Sequence, residues 1–379
     1  MANIHDYLRW RGDLAMEQAR FNEVDALILA KLAYIPFARL PLTAASAPVA
    51  VRDAAASLLL LTDIEKAMHF KDDIALLREL AESRRFRDMR ISDHVDRIEE
   101  ENQTQFSATT VRMDERLYCI AFRGTDASLV GWKENFNMSF LFPVPAQKSA
   151  VRYLEEVMAG KEGNFIVCGH SKGGNLAMYA AAFCGRAFQD RIAAVYDFDG
   201  PGFGEKVLDT PEYRRVRDRM MTFVPQSSVV GLLLEHEEQY IIVKSAQTWI
   251  MQHDISSWEV ERDHLCDLAQ VTNASRFIDR TLKGWLVDMD VGQRERLVDA
   301  LYSILAKTQA RTLQELDDRW FECTVIILST LSDLDEGTRK LIADALSLLI
   351  RNAQKSFRQM CELSALRERA DAKPEDAPQ

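Results

Sequence analysis

The chain has 379 residues, a hydrophobic fraction of 47% and a formal net charge of -11. This length accommodates one large α/β domain with a helical appendage, and the negative charge argues against a nucleic-acid surface and against a general affinity for anionic membranes. The six cysteines are scattered, without a C-x-x-C pair or metal-ligand spacing, so the sequence implies no metal site.

The first residues of the chain do not show a basic stretch followed by an apolar stretch, which is the pattern of a signal peptide. No run of about 18 apolar residues occurs, so no transmembrane segment is expected. The sequence therefore predicts a cytoplasmic protein, with secretion by another route left open.

Two helical regions are predicted before the first core strand. Residues 13–34 carry apolar side chains at helical spacing, and Pro36 ends that run. Residues 52–100 show similar spacing and predict further short helices. This N-terminal helical insertion is either a lid over an active site or simply part of the packing.

Short apolar runs then alternate with helical patterns. Residues 117–122 predict a strand that ends in the turn Arg123-Gly124-Thr125-Asp126, and residues 147–159 predict a helix. Further strands are predicted at 165–168, 193–198, 220–224 and 240–243. Strands that alternate with helices predict an α/β fold with a mostly parallel central sheet.

The pentapeptide Gly169-His170-Ser171-Lys172-Gly173 joins the run 165–168 to a helix rich in small residues. A serine at a sharp strand-to-helix turn needs neighbours without side chains, because the turn is strained and the helix lies close to the sheet. This pattern is typical of the nucleophile elbow of serine hydrolases. It predicts Ser171 as a nucleophile and the backbone N–H of Lys172 as an oxyanion donor. The alternative is an ordinary βα turn.

An acid that orients the catalytic base is predicted at the carboxyl end of strand 193–198, where catalytic groups gather in parallel sheets. Asp197 and Asp199 both lie there, and strand alternation predicts that their side chains share a face. Asp199, nearer the loop, is the preferred acid. Asp197 remains open, as does a purely structural role of both residues in the Gly-Pro-Gly turn. A serine–histidine pair assisted by Ser227 or Ser228 is a further alternative.

A serine hydroxyl becomes nucleophilic only when a base removes its proton, so a histidine must lie within hydrogen-bond reach. His253 is the first histidine after the last predicted core strand, and it is the predicted base. His170 is expected to point away from a substrate. Of the other candidates, His236 precedes the last strand and His264 is expected on a later helix. The remaining three precede the core and are expected at the surface: His5, His69 and His94.

The negative charge that develops on an ester carbonyl needs donors from more than one segment. The turn after strand 117–122 is the expected source of the second donor, and Thr125 would supply both its N–H and its hydroxyl. The alternative is a plain turn closed by a salt bridge between Arg123 and Asp126.

From about residue 270 the composition changes to long amphipathic helices. We therefore divide the chain into a catalytic domain at 1–270, a C-terminal helical region at 271–366 and a disordered tail at 367–379. The helical region carries no catalytic motif. It is a candidate site for a partner protein or for a second copy of the chain.

Two of these motifs resemble those of the class 3 (fungal-type) lipases: the strand ending in Phe122-Arg123-Gly124-Thr125, and Gly-His-Ser-x-Gly-Gly at residues 169–174. A closer resemblance is to a bacterial lipase-like family known as a domain of unknown function. It rests on stretches 6–13, 21–25, 199–203, 224–228 and 252–254, and it covers roughly residues 1 to 270.

The resemblance implies an α/β-hydrolase fold over 1–270, with Ser171 as nucleophile, Thr125 as an oxyanion residue and His253 as base. The chain departs from the lipases in the loop after Val224, where they carry the acid and this sequence has serines. Lys172 also replaces an apolar residue of the lipases, which hints at a more polar acyl or leaving group.

The expected activity is cleavage of small-molecule or lipid carboxylic esters through an acyl-enzyme on Ser171, without a cofactor. One alternative is a catalytically weak or inactive hydrolase-fold protein that acts by binding a partner. Another is an acyltransferase or thioesterase that uses the same residues.

Overall fold

The computed structural model describes residues 2–42, 46–99, 104–125, 128–138, 142–309 and 319–371. The strands, numbered in chain order, are β1 (Val49–Ala50), β2 (Arg90–Glu99), β3 (Thr104–Arg112), β4 (Leu117–Phe122), β5 (Asn164–His170), β6 (Ile192–Phe198), β7 (Met220–Pro225), β8 (Gln239–Val243), β9 (Val260–Glu261), β10 (His264–Leu265) and β11 (Asp267–Leu268). Within the described ranges, nine of them form one sheet in the order β1-β2-β3-β4-β5-β6-β7-β8-β11.

Parallel strands occupy the centre of this sheet. Strands β4 to β8 pair in parallel, whereas β1 to β4 pair antiparallel and β11 adds antiparallel to β8. Strands β9 and β10 form a separate hairpin. The prediction of a mixed α/β protein with a large, mostly parallel sheet is confirmed at this level.

The helices lie on both faces of the sheet and at the C-terminal end of the described chain. They are α1 (Ile4–Arg11), α2 (Glu23–Leu32), α3 (Val51–Leu59), α4 (Ile64–Ala67), α5 (Asp73–Glu82), α6 (Leu129–Asn137), α7 (Pro145–Ala159), α8 (Lys172–Phe183), α9 (Arg186–Gln189), α10 (Glu205–Leu208), α11 (Pro211–Val216), α12 (Asn273–Val287), α13 (Val291–Ala306), α14 (Trp320–Asp333) and α15 (Glu336–Asp371). Short 3-10 helices occupy Phe37–Arg39, Arg217–Arg219, Trp249–His253 and Ile255–Ser257.

The prediction of helix throughout 52–100 is wrong for its last part, because residues 90–99 form strand β2. The cause is a β-bulge between Ser92 and Val95, where Asp93 has a φ of 53°. The bulge inserts residues into the strand and breaks its two-residue alternation. Ile91, Val95 and Ile98 therefore follow a spacing that mimics one face of a helix.

The predicted helix at 13–34 is shorter than expected and begins at Glu23. The side chain of Asn22 accepts hydrogen bonds from the N–H groups of Val24 and Asp25, and the Asp25 carboxylate accepts one from Asn22 N–H. This reciprocal capping box satisfies the free donors of the first turn and fixes the start of α2. The segment before it contains turns.

Two apolar layers cover the two faces of the sheet, as strand alternation requires. On β4, Cys119 and Ala121 pack in the layer formed with α1, α2, α3 and α5. Tyr118 and Ile120 point the other way and pack with α7, α8 and α11. The N-terminal helices thus cover one face of the same sheet whose opposite face carries α8.

Met289, Leu297 and Ala345 form a small apolar cluster among α12, α13 and α15. Helix α13 also reaches α6, where Lys133 Nζ lies 2.7 Å from Asp299 Oδ1 and above the ring of Tyr302. Helix α15 extends to Asp371, and residues 372–379 lie outside the described chain. The division at residue 270 and the disordered tail therefore stay predictions. In the described part of the chain, each helix is too short or too polar to cross a membrane.

Candidate active site

Ser171 occupies the turn between β5 and α8, with a φ of 59° and a ψ of -131°. This backbone conformation is strained for a residue with a side chain, and such strain is typical of functional turns. The flanking glycines make the turn possible. A Cβ on Gly169 would lie 2.1 Å from Gly173 O, and a Cβ on Gly173 would lie 2.1 Å from Phe122 O. The near-contact of β5, α8 and β4 therefore excludes side chains at both positions.

The structure brings His253 and Asp199 together. His253 ends a 3-10 helix after β8, and its Nδ1 lies 2.6 Å from Asp199 Oδ2. Asp199 follows β6 and is 1% exposed, whereas the His253 side chain is 28% exposed. The carboxylate also accepts hydrogen bonds from Ser228 Oγ at 2.5 Å and from Gly231 N–H at 3.1 Å. Ser228, Gly231 and His253 thus hold one buried carboxylate.

Asp197 has different partners. Its Oδ1 accepts a hydrogen bond from Gly200 N–H at 2.9 Å, and Thr222 Oγ1 lies 3.4 Å from its Oδ2. Burial raises the pKa of Asp197 well above its ordinary value. The expectation of a shared face does not hold, since Asp199 lies beyond the end of β6 with a φ of 55°.

The serines at the end of β7 differ in what they contact. Ser228 donates to Asp199, as described above. Ser227 instead pairs its hydroxyl with Thr272 Oγ1 at 3.0 Å and donates its N–H to Gln252 Oε1. Ser228 therefore supports the carboxylate of Asp199 from the loop after β7.

Ser171 Oγ and His253 lie at the same end of the sheet, and the described residues include no hydrogen bond between them. Catalytic hydrogen bonds are often long in the absence of substrate and tighten when it binds. The two segments are connected through His170, whose ring centroid lies 4.5 Å from that of His253. The ring of His170 is buried, and its Nε2 lies 2.8 Å from His253 O.

The turn after β4 lies close to Ser171. A Cβ built on Gly124 would lie 3.0 Å from Ser171 Cβ. Thr125 Oγ1 is buried and has no hydrogen-bond partner among the described residues, as expected of a donor reserved for a ligand. Arg123 forms two hydrogen bonds with Asp96, at 2.8 and 2.9 Å, and Asp126 lies outside the described residues.

Lys172 is the first residue of α8, where backbone N–H groups point out of the helix end. Its side chain is buried, and its Nζ lies 2.8 Å from Glu134 Oε2, 2.6 Å from Gln105 O and 2.7 Å from Gln105 Oε1. Glu134 belongs to α6 and is itself fully buried. The ammonium group thus serves an internal ion pair, which the sequence analysis missed because its partners are distant in the chain.

A second buried lysine lies behind the segment that carries His253. Lys31 Nζ, on α2, lies 3.1 Å from Asp72 Oδ1 and 3.4 Å from Asp254 Oδ1, and it also lies 3.7 Å from Asp73 Oδ1. Ser256 Oγ donates to Asp72 at 2.5 Å. Asp254 and Ser256, which follow His253, therefore contact Lys31 and Asp72 of the N-terminal helical region.

The pKa values of the two neighbouring carboxylates Asp72 and Asp73, which both face Lys31, are shifted in opposite directions. Burial raises the pKa of Asp73 to about 6, against the attraction of Lys31. Burial acts in the same sense on Asp72, but hydrogen bonds from His5 and Ser256 and the charge of Lys31 outweigh it and hold the pKa of Asp72 below its ordinary value.

The remaining histidines have other partners. His236 pairs with Glu238 at 2.7 Å, and His264 is half-exposed. His5 was expected at the surface, but its side chain is only 14% exposed, and its Nδ1 and Nε2 lie 2.5 Å from Glu79 Oε2 and 3.2 Å from Asp72 Oδ2. Over the described parts of the chain, no group of three or more His, Cys, Asp or Glu side chains could hold a metal ion.

A family model described as Mbeg1-like matches residues 80–303. The chain belongs to the Mbeg1-like family. This lipase-like family assignment spans β2 to α13 and includes the segments that carry Ser171, Asp199 and His253. A search of curated proteins finds no significant match to this Mbeg1-like chain.

Solved structures similar to the Mbeg1-like chain include two lipases and the protein MDLA. The M37 lipase is 16% identical, with 54% of this chain and 68% of that chain covered and a TM-score of 0.35. The native Rhizomucor miehei lipase–propeptide complex is 14% identical, with 57% and 66% covered and a TM-score of 0.35. A mutant form of MDLA from Penicillium cyclopium is 13% identical, with 64% and 83% covered and a TM-score of 0.38.

Proposed function

We propose that the chain is a serine hydrolase of the α/β-hydrolase fold that cleaves carboxylic esters through an acyl-enzyme on Ser171. The observation that carries this proposal is the 2.6 Å contact between His253 Nδ1 and Asp199 Oδ2, beside a serine in a strained strand-to-helix turn. Ser171, Asp199 and His253 each follow a parallel strand of the sheet, at the edge where such sites are built, which supports the roles of nucleophile, acid and base.

The partners of Asp199 define the tautomer of the base. Its carboxylate accepts hydrogen bonds from Ser228 and Gly231, so it acts as an acceptor toward His253 as well. This contact favours the proton on Nδ1 of His253, and in the neutral ring Nε2 then has the lone pair. That lone pair is what the Ser171 hydroxyl needs in order to lose its proton.

In the proposed reaction, Ser171 Oγ attacks the ester carbonyl carbon while His253 Nε2 takes the hydroxyl proton. The N–H of Lys172 and the N–H and hydroxyl of Thr125 stabilise the oxyanion. The tetrahedral intermediate collapses, the C–O bond to the leaving group breaks, and His253 returns the proton to the departing alcohol. Water then attacks the acyl-enzyme with the same base, which releases the carboxylic acid and restores Ser171.

The Asp199–His253 contact supports an enzyme over a protein that only binds partners, since the serines after Val224 had been the reason to doubt an orienting acid. Transfer of the acyl group to an acceptor other than water would use the same residues. The cytoplasmic location, the bacterial origin and a partner at the C-terminal helices stay predictions.

A fluorophosphonate probe tests the proposal, because it forms a phosphorus–oxygen bond only with an activated serine. The parent protein should be labelled, Ser171→Ala should not, and His253→Ala should react slower by roughly 10² or more. His264→Ala removes a half-exposed histidine with other surroundings and should label like the parent. An unlabelled parent would refute the proposal, and p-nitrophenyl esters of increasing acyl length would then define the substrate range of a labelled one.

A further inference from the structure

Three hydrogen bonds connect the oxyanion turn to the segment of the base through two buried residues. Gly124 N–H lies 3.1 Å from the hydroxyl of Tyr34, which lies 2.9 Å from His170 Nδ1. His170 Nε2 lies 2.8 Å from His253 O. Tyr34 and His170 are 2% exposed each; His170 directly precedes Ser171, and a Cβ built on Gly124 would lie 3.0 Å from Ser171 Cβ.

The direction of each hydrogen bond follows from the chemistry of its ends. The carbonyl oxygen of His253 can only accept, so His170 Nε2 carries a proton. Burial, together with the neighbouring His253 and Lys31, holds the pKa of His170 well below its ordinary value, so its ring is neutral and Nδ1 is an acceptor. Tyr34 must then donate to Nδ1, and its oxygen accepts the proton of Gly124 N–H.

This series of hydrogen bonds limits which groups of the turn after β4 remain available to bind an oxyanion. The Gly124 N–H is used by Tyr34, so the oxyanion role in the turn falls to Thr125. The turn also fits closely around the hydroxyl, because a Cβ on Gly124 would lie 2.3 Å from Tyr34 Oη and 2.6 Å from His170 O. The ring of His170 meanwhile lies against that of His253, with 4.5 Å between centroids.

We propose that Tyr34 and His170 are positioning residues, which hold the Thr125 turn and the backbone of His253 at fixed places on either side of Ser171. This inference rests on the proposed function. A neutral His170 suits the reaction, because His253 gains a positive charge in the transition state and a second charge at this distance would repel it. The pair acts through its neighbours and does not touch the substrate.

Tyr34→Phe removes the hydroxyl and keeps the ring. We expect kcat for a p-nitrophenyl ester to fall by roughly 10- to 100-fold, with KM within about threefold, because misplaced catalytic groups slow the chemical step more than they weaken binding. Labelling by the fluorophosphonate should slow by a similar factor.

Tyr153→Phe is the matched control. The Tyr153 hydroxyl is also buried and makes two hydrogen bonds, with Thr110 Oγ1 at 2.9 Å and with Asp93 O at 2.7 Å, and its ring packs on the face of the sheet opposite to α2. The variant Tyr153→Phe should lose about as much stability as Tyr34→Phe and keep the kcat of the parent. Equal losses of kcat in both variants, or an unchanged kcat in Tyr34→Phe, would overturn the inference while a labelled parent left the proposed function standing.

A spectroscopic readout does not depend on turnover. In ¹⁵N NMR spectra of the histidine rings, His170 should remain the neutral tautomer with the proton on Nε2 between about pH 5 and 8, the range in which an ordinary histidine titrates. In Tyr34→Phe, the Nδ1 signal should move because its donor is gone. A His170 ring that becomes protonated in this range, or an unmoved Nδ1 signal, would contradict the proposed series of hydrogen bonds from Gly124 to His253.

Discussion

Ser228 donates its hydroxyl to Asp199 Oδ1 at 2.5 Å, while Oδ2 of the same carboxylate lies 2.6 Å from His253 Nδ1. Asp199 directly follows β6, and Ser228 lies in the loop after the neighbouring strand β7. A carboxylate held by several donors keeps one orientation, which in turn limits the rotation of the histidine ring. The serine after β7 thus has a structural purpose where the lipases carry the acid.

Asp199→Asn should lower kcat by roughly 10³- to 10⁴-fold, the loss expected when the acid of such a triad becomes an amide and the base adopts the wrong tautomer. Steady-state hydrolysis of a p-nitrophenyl ester measures it. Asp197→Asn is the comparison, since Asp197 contacts Gly200 and Thr222 and should change kcat far less. Similar losses in the two variants would remove Asp199 from the proposed triad.

Ser228→Ala removes one of the three donors to Asp199. A hydrogen bond to a charged group contributes about 1.5–3 kcal/mol, so we expect kcat to fall by roughly tenfold while Ser171 still reacts with the fluorophosphonate. Ser227→Ala deletes the adjacent hydroxyl, which contacts Thr272, and should leave kcat within about twofold of the parent. The hypothesis of a supporting role fails if the two serine variants behave alike.

Lys172→Met leaves Glu134 as a buried carboxylate without its cation. Breaking a buried ion pair by removing one partner costs about 3–5 kcal/mol, which urea unfolding would report as a lower midpoint with an unchanged m value. The double variant Lys172→Met with Glu134→Gln removes both charges and should recover part of this loss. If the double variant were as unstable as the sum of the single ones, the two groups would not be coupled.

Asp73→Asn should change how stability depends on pH. Burial raises the pKa of Asp73 to about 6, so the folded state binds a proton more tightly than the unfolded chain. Asp73 therefore lowers the stability of the parent as pH rises from about 4 to about 6, by about 3 kcal/mol at most, and is unfavourable above that range. The unfolding free energy of Asp73→Asn relative to the parent should rise across this window.

Asp72→Asn should change the pH dependence of stability in the opposite direction. The pKa of Asp72 is lowered in the folded state, so its contribution to stability is present above the unfolded value and is lost as pH falls below it. The stability deficit of Asp72→Asn should therefore shrink toward acid pH. A pair of parallel pH profiles for the two variants would contradict these assignments.

Much of the candidate site could be predicted because its residues follow strand ends. Parallel strands bring their carboxyl ends to one edge of the sheet, so counting strands placed Asp199 and His253 near Ser171 without knowledge of any contact. Their catalytic roles stay predictions until activity is measured.

The features that sequence reasoning missed depend on partners that are far apart in the chain. The side chain of Lys172 meets Glu134, and the hydroxyl of Tyr34 meets His170, with no local pattern that links either pair. Strand β2 was missed for a different reason, since its bulge disturbs the alternation from which strands are recognised.

Neighbouring residues of α6 hold that helix from two directions: Glu134 binds Lys172 at the nucleophile turn, and Lys133 binds Asp299 on α13. A shortened protein that ends at residue 270 would keep every proposed catalytic residue and lose the outer of these two attachments. One that ends after Ala306 would retain both. Removal of α13 would break the contact between Lys133 and Asp299, and removal of α12 as well would break the hydrogen bond from Ser275 Oγ to Ser228 O at 2.7 Å, so both helices brace segments next to the candidate site.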